Sequence, residues 1–139
     1  MASYNKFESF SEHLAEKVAN LDTDVIKAYL SNATPSTSAD SFIADLAEIS
    51  AGNGYTAGGI DTQNATSRSG GTTSITGVDV VWTASGAVGP FRYMPIYDDT
   101  VTSPSADLLI GWWDYGSSIS LANGETFTGD FTSSMFTLA

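Results

Sequence analysis

Trp112, Trp113 and Tyr115 fall within four positions of one apolar stretch, DLLIGWWDYGSSISLANGETFTGDF (residues 107–131). Aromatic faces stack on the apolar faces of sugar rings, so these side chains could form a carbohydrate-gripping platform. The competing use is burial, because Trp and Tyr dominate cores and protein interfaces alike. Strand alternation would then send one tryptophan to the core and the other to a covered surface. His13 is the single histidine. No Gly-x-Ser-x-Gly or comparable nucleophile setting accompanies it, so it reads as a solvated or interface histidine rather than a general base or metal ligand.

The carboxylates allow two further chemistries. Asp98, Asp99 and Asp107 flank one loop, and clustered carboxylates can hold Ca²⁺, which takes several oxygen ligands. EF-hand spacing is absent, and a solvated acidic loop is the simpler reading. Glu125 and Asp130 are the nearest approach to a glycosidase pair. On one strand, residues five apart lie on opposite faces and about 17 Å apart, so they cannot act together unaided. Asp114, beside Tyr115-Gly116, suits a turn cap. Gly52, Gly54, Gly58 and Gly59 are not followed by Gly-Lys-Ser/Thr, so they read as turn residues and not as a phosphate loop. These readings point to a non-enzymatic chain with no cofactor and no metal.

Charge narrows the partners. Five Lys+Arg stand against sixteen Asp+Glu, for a net charge of -11. Nucleic acids and anionic membranes both require basic patches and are disfavoured. After Lys27 the basic residues are Arg68 and Arg92 alone, against eleven acids. Each of the two is therefore expected either to pair with a carboxylate or to reach a partner. Arg92, between Phe91 and Tyr93, is expected to point away from both aromatics. No cysteine is present, which excludes disulfides and thiolate sites. No apolar run approaches the roughly 18 residues of a membrane span, and the first residues lack a secretory-signal pattern.

The elements that must position these groups follow from periodicity. Residues 5–20, NKFESFSEHLAEKVAN, read as an amphipathic helix. Phe7, Phe10, Leu14 and Val18 form one face, Asn5 and Glu8 a capping box, and Asn20 the left-handed end. That stripe packs either on its own domain or on a neighbouring subunit. Residues 24–30 read as a strand, 31–41 as a polar loop, and 42–49 as either a short helix or an edge strand. Further strands are expected at 60–69 and 72–76 around a Gly70-Gly71 turn, and at 78–85, 91–97, 107–114, 117–121, 125–131 and 134–138. A tight turn is expected at Gly116-Ser117-Ser118. Leu109, Gly111 and Trp113 should face one way, and Ile110, Trp112 and Asp114 the other. Both faces are apolar, so both must be covered. Short strands at roughly 8–15-residue intervals predict a mainly β, sandwich or jelly-roll-like domain over 23–139, preceded by the helix in 1–22.

The segments AEISAGNGYTAGG (47–59), VVWTASGAVGPFRYMPIYDDT (80–100) and LLIGWWDYGSSISLANGETFTGDF (108–131) resemble a group of small structural proteins of tailed bacteriophages. KFESFSEHLAEKVANL (6–21) and DVIKAYLSNATPS (24–36) fit the same group, so the resemblance covers nearly the whole chain. It implies a virion component made in the host cytoplasm, with the capsid exterior favoured and a tail or fibre position as the alternative. The implied partners are the major capsid protein or other virion proteins, together with copies of the chain itself; a trimer would suit local threefold positions. Phe7, Phe10, Leu14, Val18, Arg92, Trp112 and Trp113 are the expected interface residues. The alternative from a different class is a carbohydrate-binding module using exposed aromatics.

Overall fold

From Val25 onward the chain is rich in Val, Ile, Thr and aromatic residues broken by Gly, Asn and Pro, which suits pleated strands and tight turns. The computed structural model describes residues 2–131 and 133–139. The fold is mainly β, with several antiparallel sheets and one short N-terminal helix. The elements run β1 (Tyr4–Lys6), α1 (Glu8–Ala15), β2 (Ile26–Ala28), a 3-10 turn (Ile43–Asp45), β3 (Ile60–Asp61), β4 (Ala65–Ser69) and β5 (Thr72–Thr76). They continue with β6 (Val80–Thr83), β7 (Val88–Asp98), β8 (Leu108–Leu121), β9 (Thr126–Gly129) and β10 (Phe136–Leu138). The strands form a five-stranded sheet in the order β1-β8-β7-β2-β3, a three-stranded sheet β10-β5-β4 and a two-stranded sheet β6-β9.

The five-stranded sheet is buried on both faces. One face carries Ile26, Ala28, Phe91, Ile96, Leu108 and Ile110 into the main core, where Ile75 of β5, Val80 and Trp82 of β6, and Phe136 of β10 meet them. The other face carries Tyr29, Tyr93, Tyr97, Leu109 and Trp112, covered by Phe7 and by Leu46 of the long 31–49 connection. Polar bonds pin that cover. The Tyr29 hydroxyl donates to Leu46 O at 3.0 Å and Ser31 Oγ to Ala47 O at 2.5 Å. Glu48 Oε1 accepts from the Tyr55 hydroxyl and the Gly58 N–H, both at 2.7 Å.

Several expected boundaries are corrected. Asn5 is not a helix cap but lies in β1, paired with Trp112 of β8. The helix begins at Glu8 after Phe7, which makes no side-chain cap. It ends at Ala15, not Asn20. Lys17 takes the left-handed conformation at φ 62°. The Val18 N–H donates to His13 O at 2.9 Å, and the Lys17 N–H to Leu14 O at 3.2 Å. These are the paired bonds of a Schellman ending, here with Lys where Gly is usual. Asn20 instead organises the next turn, donating its N–H to Asp24 Oδ2 at 2.8 Å. The 42–49 segment resolves into the 3-10 turn, preceded by a bridge from Phe42 to Leu108. The Gly70-Gly71 hairpin forms as expected, with Ser69 opposite Thr72.

Candidate functional site

The longest strand pair, β7 with β8, departs from regular alternation at two places that matter for the site. Ile96 pairs with Gly111 while Tyr97 pairs with Leu109, so Ile110 is an extra residue on β8. A bulge of this kind reverses which face the following residues occupy. Trp112 therefore shares a face with Leu109, and Trp113 packs toward the face of Leu108 and Ile110. This corrects the expected grouping of Trp112 with Ile110. Separating the two tryptophans onto opposite faces is what simple alternation requires.

The second irregularity is larger. Tyr93 pairs with Asp114 and Phe91 with Ile119, so Arg92 alone stands opposite Tyr115, Gly116, Ser117 and Ser118. The expected tight turn at 116–118 is thus a bulge inside one continuous strand. Gly116 sits at φ 102°, outside the range side-chain-bearing residues favour. The Asp114 carboxylate fixes the bulge by accepting the Gly116 N–H at 2.8 Å. Tyr115 is consequently lifted out of the ladder and is 56% exposed.

Beside this bulge lies an open groove of about 350 Å³, walled largely by aromatic side chains. Phe127 of β9 stands edge-on to Phe91 at 4.9 Å and lies 5.8 Å from the Tyr115 ring. Trp113 is held between Tyr4 and Phe131, each ring at 5.5 Å. The polar lining comes from Arg92, Thr128, Asp130 and Ser134. Arg92 Nε donates to Asp114 Oδ1 at 2.8 Å and Nη2 to Oδ2 at 3.1 Å, a two-pronged pair on the bulge. Its guanidinium also lies 5.4 Å from the Tyr93 ring centre. The Arg92 hydrogen bonds hold the Asp114 carboxyl below its ordinary range, and Asp114 in turn raises the guanidinium. Of the two partners expected for Arg92, it takes the carboxylate. Its neighbours Phe91 and Tyr93 do not share a face, however; they enter different cores because of the bulge.

The remaining expected residues are distributed as follows. Phe7 and Phe10 are enclosed by the chain's own packing, Phe7 against Trp112 at 4.6 Å and Phe10 edge-on to Phe136 at 5.9 Å. They serve opposite cores and do not form one docking stripe. Leu14 and Val18 are half-buried against the main core, and Trp112 is 9% exposed. Phe7, Phe10 and Trp112 thus leave no appreciable surface for a partner. His13 is half-buried against Phe42 at 5.4 Å, and its Nδ1 has no hydrogen-bond partner among the described residues. Among the described residues Arg68 meets no carboxylate; its Nη1 donates to Gly70 O at 2.9 Å in its own hairpin. Glu125 caps the Asn-Gly turn by accepting the Ala122 N–H at 2.6 Å.

The acidic loop is only partly solvated. Asp99 pairs with Lys27 at 3.0 Å. Asp98 is fully buried, and its Oδ1 accepts the Thr100 N–H at 3.0 Å. Burial first, and then a shared hydrogen bond with Asp24, push its carboxyl up to about 7. Among the described residues, no three His, Cys, Asp or Glu side chains gather where they could hold a metal ion, and no helix is long and apolar enough to cross a membrane.

Sequence reasoning identified Trp113, Tyr115 and Arg92 but missed Phe127 and Phe131 as their companions. The Thr126-Phe127-Thr128 alternation does single out Phe127. Its position beside Tyr115 depends on the pairing of β9 with β6, Phe127 opposite Trp82, which no local signal encodes. No family model, curated protein or solved structure matches the chain.

Proposed function

We propose that this chain is a non-enzymatic structural protein of a tailed-bacteriophage virion, a decoration or cement protein seated on the outer surface of the head. The observation that carries this reading is how the chain uses its apolar residues. The segments that resemble phage structural proteins, 80–100 and 108–131, contain all of β6, β7, β8 and β9, and the faces of β7 and β8 are closed by the chain's own side chains. What remains is a self-contained acidic β module. In this reading the five-stranded sheet and the two smaller sheets, which share the main core, make a β-sandwich of jelly-roll-like kind.

Phe7 and Phe10 of the helix stripe are consumed internally and Leu14 and Val18 are half-buried, so this reading gives docking to other surface. Val78 and Val81 are among the large apolar side chains left exposed. They lie on and just before β6, which among the described residues is bonded to β9 alone. Burying such surface against capsid or sister subunits, at about 800 Å² per partner, is the usual scale of stable association. A net charge of -11 keeps the protein off packaged DNA and on the solvent side of the shell.

The test is copy number in purified particles of the parent phage, measured against the major capsid protein. Copies of the same order as the capsid protein support the head lattice. Copies far below it move the chain to the tail or a fibre, and absence from particles overturns the virion reading. Val81→Asp changes an exposed position, so it should fold normally yet lose particle association.

A further inference from the structure

We propose that the aromatic groove beside the Tyr115 bulge binds a neutral saccharide. The inference stands on the groove itself and does not depend on the chain belonging to a virion. Its first support is the gradation of the aromatic walls. Phe91 is buried, Trp113 and Phe127 are half-buried, and Tyr115 is mostly exposed. A ring entering the groove therefore meets aromatic surface at the floor and at the rim. Apolar sugar faces take such surface, while sugar hydroxyls need donors and acceptors at the edges.

The second support is the polar rim. The Arg92–Asp114 pair spends Nε and Nη2 of the guanidinium on the carboxylate. Nη1 has no hydrogen-bond partner among the described residues, and with Thr128, Asp130 and Ser134, which also line the groove, it offers donors and acceptors to a hydroxyl-rich ligand. The third support is charge. Arg92 is already neutralised by Asp114, and Asp130 adds a negative charge to the lining. With sixteen acids against five bases in the whole chain, an anionic sugar or phosphate would be repelled. A volume of about 350 Å³ lies at the small end of ligand sites, roughly 300–1,000 Å³, and suits a short saccharide. The bulge serves this arrangement directly, since it is what takes Tyr115 out of the ladder and over the groove; bulges recur at sites where a side chain must be re-aimed.

The experiment is a glycan array carrying neutral and acidic saccharides, probed with the full chain, followed by calorimetric titration of the bound glycan. At least one neutral glycan should bind, with a Kd of about 1 mM or tighter, and sialylated glycans should not. Tyr115→Ala should weaken that binding by about tenfold or more while leaving the unfolding temperature within a few degrees, because Tyr115 is mostly exposed. Trp113→Phe, which keeps an aromatic wall, should bind more strongly than Trp113→Ala. Three results would overturn the proposal. They are no neutral glycan bound above background, binding unchanged in Tyr115→Ala, or self-association of the chain that Tyr115→Ala abolishes without any glycan binding. The last would assign the groove to a second copy.

Discussion

Asp98 is a carboxyl placed where an ion is costly. It is fully enclosed where β7 meets β2, opposite Ile26, and among the described residues its Oδ2 has no hydrogen-bond partner other than the proton it can share with Asp24. Burial raises its pKa from 3.8 to about 7, so between those values the folded protein keeps a proton that the unfolded chain has released. The folded state then binds more protons than the unfolded one, and stability falls as pH rises through that window. This contribution is fully present below about pH 4 and lost by about pH 7. Asp98→Asn cannot ionise, and its Oδ1 still accepts the Thr100 N–H. The variant should flatten the decline in stability from pH 4.5 to 7 and be about 2 kcal/mol more stable than the parent at pH 8. Urea unfolding of both proteins across that range checks it; parallel pH profiles would show that Asp98 is not the source. The half-buried Asp114 has the opposite sign, since Arg92 lowers its pKa and its contribution is lost only as the medium becomes strongly acid.

At the scale of elements, alternation was legible and its interruptions were not. The apolar run of β8 announces a strand covered on both faces, and both cores are there. Yet Ile110 and three of residues 115–118 are extra relative to β7, and each shift depends on the partner strand's register rather than on local sequence. For the same reason Trp113 and Tyr115 could be named from sequence as aromatic candidates, while the groove they share with Phe127 could not. The expected helix starts too early because its 3.6-residue spacing begins before the helix itself. Phe7 fits the stripe, but β1 pairing carries the chain in extended form as far as Lys6, and tertiary pairing outweighs local propensity. The bulge yields a sharp prediction. Nothing lies within 4 Å of a Cβ built on Gly116, so Gly116→Ala meets only backbone strain at its positive φ. It should cost about 1–2 kcal/mol. It should also turn Tyr115 away from Phe127, readable as loss of ring-to-ring contacts by NMR. A cost near zero would mean the bulge relaxes to a regular ladder.

For the molecule as a whole, charge repulsion is the long-range term that the fold does not compensate. The chain carries -11 with five basic residues. Lys27 and Arg92 make ion pairs, Lys27 with Asp99 and Arg92 with Asp114, and all four partners are about one-third or more exposed. Exposed pairs of this kind contribute little to stability, and Arg68 donates to a backbone carbonyl instead. Screening therefore acts mainly on unfavourable carboxylate–carboxylate interactions, whose reach is about 10 Å at 0.1 M salt. Raising NaCl from about 10 mM to about 300 mM should increase the unfolding temperature by several degrees at pH 8. The increase should shrink near the isoelectric point of about 4.1, where the net charge disappears. A fall in unfolding temperature with salt at pH 8 would mean that the ion pairs outweigh the repulsion. In assembly, copies of so acidic a module approach each other against their own field, so any self-association should strengthen with salt. Docking through Val78 and Val81 would do so more than a contact made through Arg92, which screening weakens.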